Sequence, residues 1–126
     1  MLYIINIDKY LFVYDIYVNN IREVQKLENN YNNYALYMKA LSDETRVKIF
    51  SMISQGELCA CKILEEFNIT QPTLSYHMKI LCESGLIDSR KDGIWMKYTI
   101  NNNNLMNFKN FFDNICKNSL DCYENR

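Results

Sequence analysis

The feature that most constrains the fold of this chain is a helix whose start and end are both clearly marked. Thr70 is a favoured N-cap residue, and Pro72 falls in the first turn, where a missing N–H costs little. Gly85 can adopt the left-handed conformation that ends a helix. These signals predict a helix over residues 71–84. Its predicted inward side chains are Leu74, Met78 and Leu81.

A β-hairpin signal follows this helix directly. Residues 86–91 and 94–100 are β-rich, and they surround the dipeptide Asp92-Gly93. Asp-Gly between two such runs is typical of a two-residue type I′ turn, because both central residues of that turn need a positive φ angle. The sequence therefore predicts a hairpin with basic residues near its tip.

Two shorter helices are predicted upstream of residue 70. Ser42 is the expected N-cap of the first, and Gly56 is its expected end. The second is expected over residues 58–67, with a tight turn after it. The predicted buried residues of the first helix are Val47, Phe50 and Ile53. Two helices joined by so short a turn form a helix-turn-helix, and a basic-tipped hairpin after it makes a winged helix. The predicted fold class is mainly α with a small β-hairpin.

The flanking segments are less regular. Apolar residues at three- and four-residue steps predict a helix over residues 20–40, with a break near Asn29 to Asn33. After the asparagine run 101–104, a last amphipathic helix is predicted from Leu105, Phe108, Phe112 and Ile115. The predicted organisation is an N-terminal extension of unknown role, a winged helix-turn-helix domain and a C-terminal tail, over residues 1–28, 29–120 and 121–126.

The cysteine content bears on the compartment. Five cysteines are an odd number, which suits a secreted disulfide scaffold poorly. The apolar opening of the chain is interrupted by Asp8, Lys9 and Asp15, which argues against a signal peptide and against a membrane span of about 20 nearly uncharged residues. We therefore expect a cytoplasmic protein without membrane contact, whose thiols bind ions or sense oxidants rather than crosslink.

The front of the helix over residues 71–84 has the side chains that a major-groove reader needs. Short polar side chains there lie outside the inward stripe and can reach base edges. We expect base or phosphate contacts from Gln71, Thr73, Ser75, Tyr76, His77 and Lys79. We expect phosphate or minor-groove contacts by the hairpin from Arg90, Lys91 and Lys97. The alternative is that these side chains form only the solvated face of an amphipathic helix.

The charge balance is unusual for a nucleic-acid binder. The formal net charge is −1, whereas a DNA-binding domain is expected to be basic. Within residues 69–100, four basic side chains face three acidic ones: Lys79, Arg90, Lys91 and Lys97 against Glu83, Asp88 and Asp92. We therefore expect modest nonspecific DNA binding, with the doubled contacts of a dimer supplying operator affinity. A protein-interaction module of the same fold is the alternative that the acidic balance favours.

Cys59 and Cys61 form a Cys-X-Cys motif at the predicted start of the second helix. Thiolates select soft ions, among them As(III), Sb(III), Cd(II), Pb(II), Cu(I) and Zn(II). Side chains two residues apart on an ideal helix point about 200° apart, so one ion can bridge both sulfurs only if the first turn unwinds. Thiol oxidation and a purely structural role are the alternatives, although a disulfide within a helix would be strained. Cys82 falls near the apolar stripe of its own helix and is expected in the core.

Three stretches of residues 35–100 resemble the ArsR/SmtB family of metal-responsive repressors. Lys39 to Arg46 (KALSDETR) is similar to the family's "ALSDxTR" helix start, and Glu57 to Cys61 (ELCAC) to the "ELCVC" segment of its arsenic- and cadmium-responsive members. Gln71 to Leu81 (QPTLSYHMKIL) is similar to the recognition helix "Q(P/S)TVSHHLKxL". The resemblance implies a homodimer, joined by N- and C-terminal helices, that binds an inverted-repeat operator in double-stranded DNA and leaves it on binding its inducer.

The resemblance also bears on the inducer. Some arsenic-responsive relatives have a third cysteine three residues after the Cys-X-Cys motif, where this chain has Leu64. Cys116 and Cys122 are candidate third ligands, from either subunit, and a small thiol is another. Cadmium-type members use cysteines of an N-terminal arm, and here none precedes Cys59. The resemblance therefore favours As(III) or Sb(III) over Cd(II), Pb(II) and Zn(II), with a thiol-redox-sensing repressor as the alternative.

An enzyme is the remaining alternative function. It would use Ser75 with His77, or a cysteine with His77. His77 is the only histidine of the chain, and its predicted position on an exposed helix offers no pocket and no orienting acid. We therefore expect no catalytic activity.

Overall fold

A computed structural model describes residues 30–124, and their side chains as far as Asp121. The elements in order are α1 (residues 30–40), α2 (Glu44–Ile53), β1 (Leu58–Cys59), α3 (Ala60–Glu65), α4 (Gln71–Ser84), β2 (Ile87–Asp92), β3 (Trp95–Ile100) and α5 (Asn102–Glu124). The chain divides into two compact units, Met1–Tyr34 and Ala35–Arg126, and every feature discussed below belongs to the second. The predicted extension over residues 1–28 lies outside the described residues. From residue 30 onward α1 is continuous, without the predicted break.

The predicted recognition helix is confirmed as α4. The hydroxyl of Thr70 accepts a hydrogen bond from the Thr73 N–H at 3.3 Å, and Gly85 follows the helix with a φ of 90°. All three predicted inward side chains are buried: Leu74, Met78 and Leu81. They belong to a single core with residues of the other elements: Ala40, Ile49, Ile53, Ile63, Ile87 and Tyr98.

The start of α2 lies one residue later than predicted. Asp43, not Ser42, is the N-cap: its carboxylate accepts a hydrogen bond from the Arg46 N–H at 3.1 Å, which holds the pKa of Asp43 below its ordinary value. Ser42 instead donates its hydroxyl to the carbonyl of Lys39 at 2.7 Å. The helix ends at Ile53 with Ser54 as its C-cap, ahead of Gly56.

The buried face of α2 also differs from the predicted one. Arg46, Ile49 and Ile53 are buried, whereas Val47, expected in the core, is 46% exposed. The reason is the contact that Arg46 makes: its Nε donates to the carbonyl of Ala40 at 2.7 Å, which turns that side of the helix inward. The buried position of Arg46 is therefore missed when the core face of α2 is predicted from apolar residues alone.

The hairpin is confirmed, and it belongs to a three-stranded antiparallel sheet of order β1-β3-β2. Asp92 pairs with Trp95, so the turn residues are Gly93 and Ile94 rather than Asp92 and Gly93. Only the first of these two has a positive φ, 64° at Gly93, which is the pattern of a type II′ turn and not of the predicted type I′ turn. We call this hairpin, residues 87–100, the wing.

Three further predicted boundaries shift. Leu58 and Cys59, expected to begin the second helix, form β1 because Leu58 pairs with Tyr98 of the wing. Residues 102–104 of the asparagine run belong to α5, and the side chain of Asn101, just before the helix, accepts a hydrogen bond from the Asn104 N–H at 3.0 Å. At its other end α5 continues to Glu124, so residues 121–124, expected in a tail, are helical. Within residues 30–124, none of the helices has the length and apolar character that a membrane span requires.

Candidate nucleic-acid interface and thiol pair

The outer face of α4 presents most of the predicted DNA-contacting side chains. Leu74, Met78 and Leu81 anchor the helix on one side, which leaves the other side in solvent. The exposed residues among the predicted contacts are Gln71, Thr73, Ser75, Tyr76 and Lys79. Tyr76 is the most prominent large side chain of this face, with 60% of its surface exposed. Polar, unshielded side chains at the front of a capped helix suit contacts with base edges.

His77 differs from its neighbours because it is half-buried and bonded to another helix. Nη1 of Arg46 lies 3.1 Å from Nδ1 of His77. A guanidinium has no acceptor atom, so Nδ1 accepts this bond and the ring proton lies on Nε2. His77 therefore helps to hold α4 against α2. Sequence reasoning missed Arg46 because its partner is 31 residues away along the chain.

The predicted basic residues of the wing are not equivalent. Nε and Nη2 of Arg90 donate to the two carboxylate oxygens of Glu57 at 2.8 and 2.6 Å, and these bonds hold the pKa of Glu57 below its ordinary value. Lys97 lies 2.9 Å from the carboxylate of Asp92. Lys91 is exposed and has no carboxylate within ion-pair distance among the described residues. Lys91 is therefore the wing cation most accessible to a phosphate.

The two thiols of the Cys-X-Cys motif lie together at the start of α3. Cys59 has extended backbone angles and is the N-cap of the helix, where its sulfur accepts a hydrogen bond from the Cys61 N–H at 3.2 Å. The Cα atoms of Cys59 and Cys61 are 5.2 Å apart, and their sulfurs are joined as a disulfide. The prediction that these side chains face opposite ways until the first turn unwinds is therefore wrong, because Cys59 lies just outside the helix.

The thiol pair is tied to the wing through the sheet. Cys59 pairs with Lys97 and Leu58 pairs with Tyr98, so β1 lies beside the inner strand of the wing. Glu57, the residue before β1, holds Arg90 of the outer strand. Ile63 of α3 lies in the same core as Leu74 of α4. A displacement at Cys59 therefore has two routes to the DNA-facing surface, one through the sheet and one through the core.

Cys82 and Cys116 are not brought to this pair. Cys82 is half-buried on α4, and burial raises the pKa of its thiol. Cys116 is exposed on α5. Among the side chains that the structure describes, no three cysteine, histidine or acidic residues are grouped closely enough to hold a metal ion. The side chain of Cys122 lies outside the described residues. Within that part of the chain, Cys59 and Cys61 supply two sulfur donors without a third.

Comparison with known proteins places this architecture in a family. Residues 43–89 match the model of the bacterial regulatory protein, arsR family. The chain is 46% identical over 72 residues to the arsenical resistance operon repressor of Staphylococcus aureus, an alignment that covers 57% of this chain and 69% of the relative. The chain belongs to the arsR family. A further relative, the transcriptional repressor SdpR of Bacillus subtilis, is 36% identical over 83 residues, which cover 60% of this chain and 92% of the repressor.

Solved structures agree with the arsR-family fold. An ArsR-like transcriptional regulator from Rhodococcus sp. RHA1 superposes with a TM-score of 0.67 at 22% identity, over 76% of this chain and 91% of that one. HlyU from Vibrio cholerae superposes with a TM-score of 0.56 at 27% identity, over 64% and 89% of the two chains. The arsR-family winged helix-turn-helix is therefore confirmed. The protein is a DNA-binding transcriptional repressor of that family and not an enzyme, which removes the enzyme alternative based on Ser75 and His77.

Proposed function

We propose that this arsR-family protein binds an operator in the cytoplasm and releases it when As(III) or Sb(III) binds Cys59 and Cys61. The observation that carries the proposal is the meeting of two sulfurs at the N-terminus of α3, on a strand paired with the wing. The relatives from Staphylococcus aureus and Staphylococcus xylosus, 46% and 44% identical over 72 residues, are arsenical resistance operon repressors. Their name supports an arsenical inducer for this chain.

The donor set suits a soft trivalent ion. Sulfurs at the N-cap and at the second residue of α3 can share one ion without any unwinding of the helix, and thiolates are the ligands that soft ions select. Trigonal As(III) needs one more donor, for which Cys116 or Cys122 of a partner subunit and a small thiol are the candidates.

The release step follows from what Cys59 does in the free protein. A bound ion supplies bonds to both sulfurs. The bonds to the ion fix the spacing and direction of the two sulfurs, which changes the geometry of the N-cap interaction between Cys59 and the Cys61 N–H, an interaction of the kind that contributes about 1 kcal/mol. Because β1 has only two residues, a displacement of Cys59 also loosens its pairing with Lys97 and Tyr98. The wing and α4 then shift relative to each other, and the operator is released.

On the DNA side, α4 lies in the major groove and the wing lies on the adjacent backbone. The proposed base-edge contacts come from Gln71, Thr73, Ser75 and Tyr76, with Lys79 beside them. Lys91 is the proposed phosphate contact of the wing, whereas Arg90 and Lys97 contact DNA only after leaving Glu57 and Asp92. His77 contributes by holding α4 in place through Arg46.

We also propose that two copies bind an inverted-repeat operator, each placing one α4 in a half-site. The final helix supports this because Phe112, Ile115 and Leu120 stay exposed beyond its buried residue Phe108. Phe112 and Ile115, 46% and 47% exposed, continue the line of Phe108 along α5. Sedimentation of Ile115→Glu tests this: we expect a monomer with weakened operator affinity, and Lys117→Ala as control should stay dimeric. A monomeric wild type would contradict the proposal.

The identity of the ion is tested by titrating a complex with DNA from upstream of the protein's own gene. As(III), Sb(III), Cd(II), Pb(II) and Zn(II) are compared in buffer with and without a small thiol. We expect As(III) and Sb(III) to release DNA at the lowest concentrations, because the described residues bring two sulfurs together and place no histidine or carboxylate beside them to complete a harder site. Release by Cd(II), Pb(II) or Zn(II) alone would assign the site to that ion.

A thiol-redox sensor is the second candidate, and the joined sulfurs of Cys59 and Cys61 favour it. Here two thiols would give two electrons and two protons to an oxidant such as hydrogen peroxide, and the disulfide would replace the ion as the inducing state. The two candidates differ in metalloid-free, chelator-treated buffer. Peroxide alone should then release DNA if the protein is a redox sensor, and should leave the complex intact if As(III) or Sb(III) is the inducer.

A further inference from the structure

An open cavity of about 460 Å³ lies where α1, α2 and α4 meet. Lys39 and Ser42 line it at the corner between α1 and α2, and Arg46 lines it from α2. Tyr76 and Lys79 line it from the outer face of α4. The wing contacts the opposite flank of α4, where Gln71 and Ser75 line a smaller cleft with Trp95. The recognition helix thus has the wing on one flank and this cavity on the other.

The charged side chains that line the cavity are three cations, Lys39, Arg46 and Lys79, and one carboxylate, Glu83. Most cations of the described chain lie within 4 Å of a carboxylate, as Lys48 does with Glu44 and Lys109 with Asp113. Those of the described residues that do not are Lys39, Arg46, Lys91 and Lys117. Two of these four line the cavity, and Lys91 lies on the wing. In a chain with a net charge of −1, three of the four unpaired cations of the described residues therefore lie beside α4, and the fourth, Lys117, lies on α5.

Arg46 makes this charge a fixed feature of the cavity. It is 8% exposed, and its bonds to the carbonyl of Ala40 and to His77 hold the guanidinium in place. Lys39 is exposed at the rim and free to move. Lys79 is only loosely paired with Glu83, at 3.9 Å, so an anion can draw it away from the carboxylate. One anchored cation and two mobile ones can enclose a phosphate group.

We propose that this cavity binds a phosphate of the operator backbone, with Lys39 as its principal contact and Arg46 as the fixed charge behind it. The inference rests on the proposed placement of α4 in the major groove. That groove is about 12 Å wide, so a helix within it has a sugar–phosphate strand on each side. Lys91 of the wing faces one strand, and the cavity faces the other. Phosphate contacts on both strands fix the register of the reading helix.

The first test is the salt dependence of DNA affinity for three lysine variants. Lys39→Ala should lower the slope of log affinity against log salt by about one unit, equally for operator and nonoperator DNA. Lys91→Ala is the reference for the proposed DNA face, and Lys117→Ala is the matched control, an exposed and unpaired lysine on α5 that should change nothing. If the slope is normal for Lys39→Ala but lowered for Lys91→Ala, the cavity does not bind an operator phosphate, and the proposed function is unaffected. Normal slopes for both variants contradict the proposed placement of α4 in the major groove and of the wing on the DNA backbone.

The second test locates the phosphate and separates DNA from a free anion. Single phosphates of one operator half-site are replaced, one at a time on each strand, by neutral methylphosphonates. The affinity of each modified operator is then measured for the wild-type protein and for Lys39→Ala. At one position, the methylphosphonate should weaken operator binding by the wild-type protein and leave binding by Lys39→Ala unchanged, because the two changes remove the same contact. Inorganic phosphate is titrated into the DNA-free protein at constant ionic strength. Binding of inorganic phosphate at Lys39, without any coupled methylphosphonate position, would assign the cavity to a free anion and overturn the proposal.

Discussion

Glu57 holds Arg90 by two hydrogen bonds, with Oε2 to Nε at 2.8 Å and Oε1 to Nη2 at 2.6 Å. The pair spans from the segment before the thiol pair to the outer strand of the wing, where Arg90 lies opposite Lys97. These bonds hold the pKa of Glu57 below its ordinary value, so the pair is intact at neutral pH and is lost only as acid protonates Glu57. In the free protein, a predicted DNA-contacting cation is thus occupied by a carboxylate two residues from Cys59.

The first prediction concerns this occupied cation. Glu57→Gln removes the negative charge and frees Arg90 for a phosphate, so we expect tighter binding and a salt slope larger by about one unit. Fluorescence anisotropy of a labelled operator across a salt series measures both. The matched control is Asp113→Asn, which frees Lys109 on α5 from a 2.6 Å ion pair away from the wing. An equal slope increase in the control, or none in Glu57→Gln, would contradict this role of Glu57.

The second prediction separates a base contact from a phosphate contact. Ser75→Ala should lower the preference for operator over nonoperator DNA by about 1 kcal/mol, because a hydroxyl facing a base edge loses its hydrogen bond. Lys91→Ala should weaken both DNAs alike and lower the salt slope by about one unit. Competition binding with operator and scrambled duplexes distinguishes the two. Unchanged salt dependence in Lys91→Ala would remove this residue from the interface.

The third prediction concerns the third bond to the inducer. The described residues offer no third donor beside Cys59 and Cys61, and Cys116 is exposed on α5. We therefore expect X-ray absorption of As(III)-bound Cys116→Ser, in buffer without small thiols, to give the same sulfur count and induction threshold as wild type. Cys122→Ser and the double variant are measured alongside. A lower sulfur count in any of them would assign the third bond to the C-terminal helix.

The recognition helix and the wing were predictable because their signals are local. The bounds of α4 are marked by residues at its ends: Thr70, Pro72 and Gly85. The helix begins and ends at the predicted residues. The hairpin was predictable for the same reason, although the turn moved one residue to Gly93-Ile94. Which residues face the solvent on α4 then followed from the inward stripe.

What the sequence could not provide depends on contacts distant along the chain. β1 has two residues and exists only because it pairs with β3 about 40 positions later, so no local pattern marks it. That pairing keeps Cys59 out of the helix and brings its sulfur to Cys61, which reverses the geometry expected from an ideal helix. The ion pair of Arg90 with Glu57 and the bond of Arg46 to His77 span 33 and 31 positions. These contacts determine which of the predicted DNA-contacting side chains are already bonded within the protein.

Whether Cys59 and Cys61 bind the inducer is measured by As(III) titration of the operator complex, followed by anisotropy, for single cysteine variants. Serine at position 59 preserves an N-cap oxygen, so Cys59→Ser and Cys61→Ser should keep operator affinity within about twofold, as expected for changes outside the DNA face. Both should hold DNA at As(III) concentrations that release wild type, while Cys82→Ser, at a half-buried thiol on α4, should release normally. Release of either Cys59→Ser or Cys61→Ser at the wild-type As(III) concentration would contradict the account.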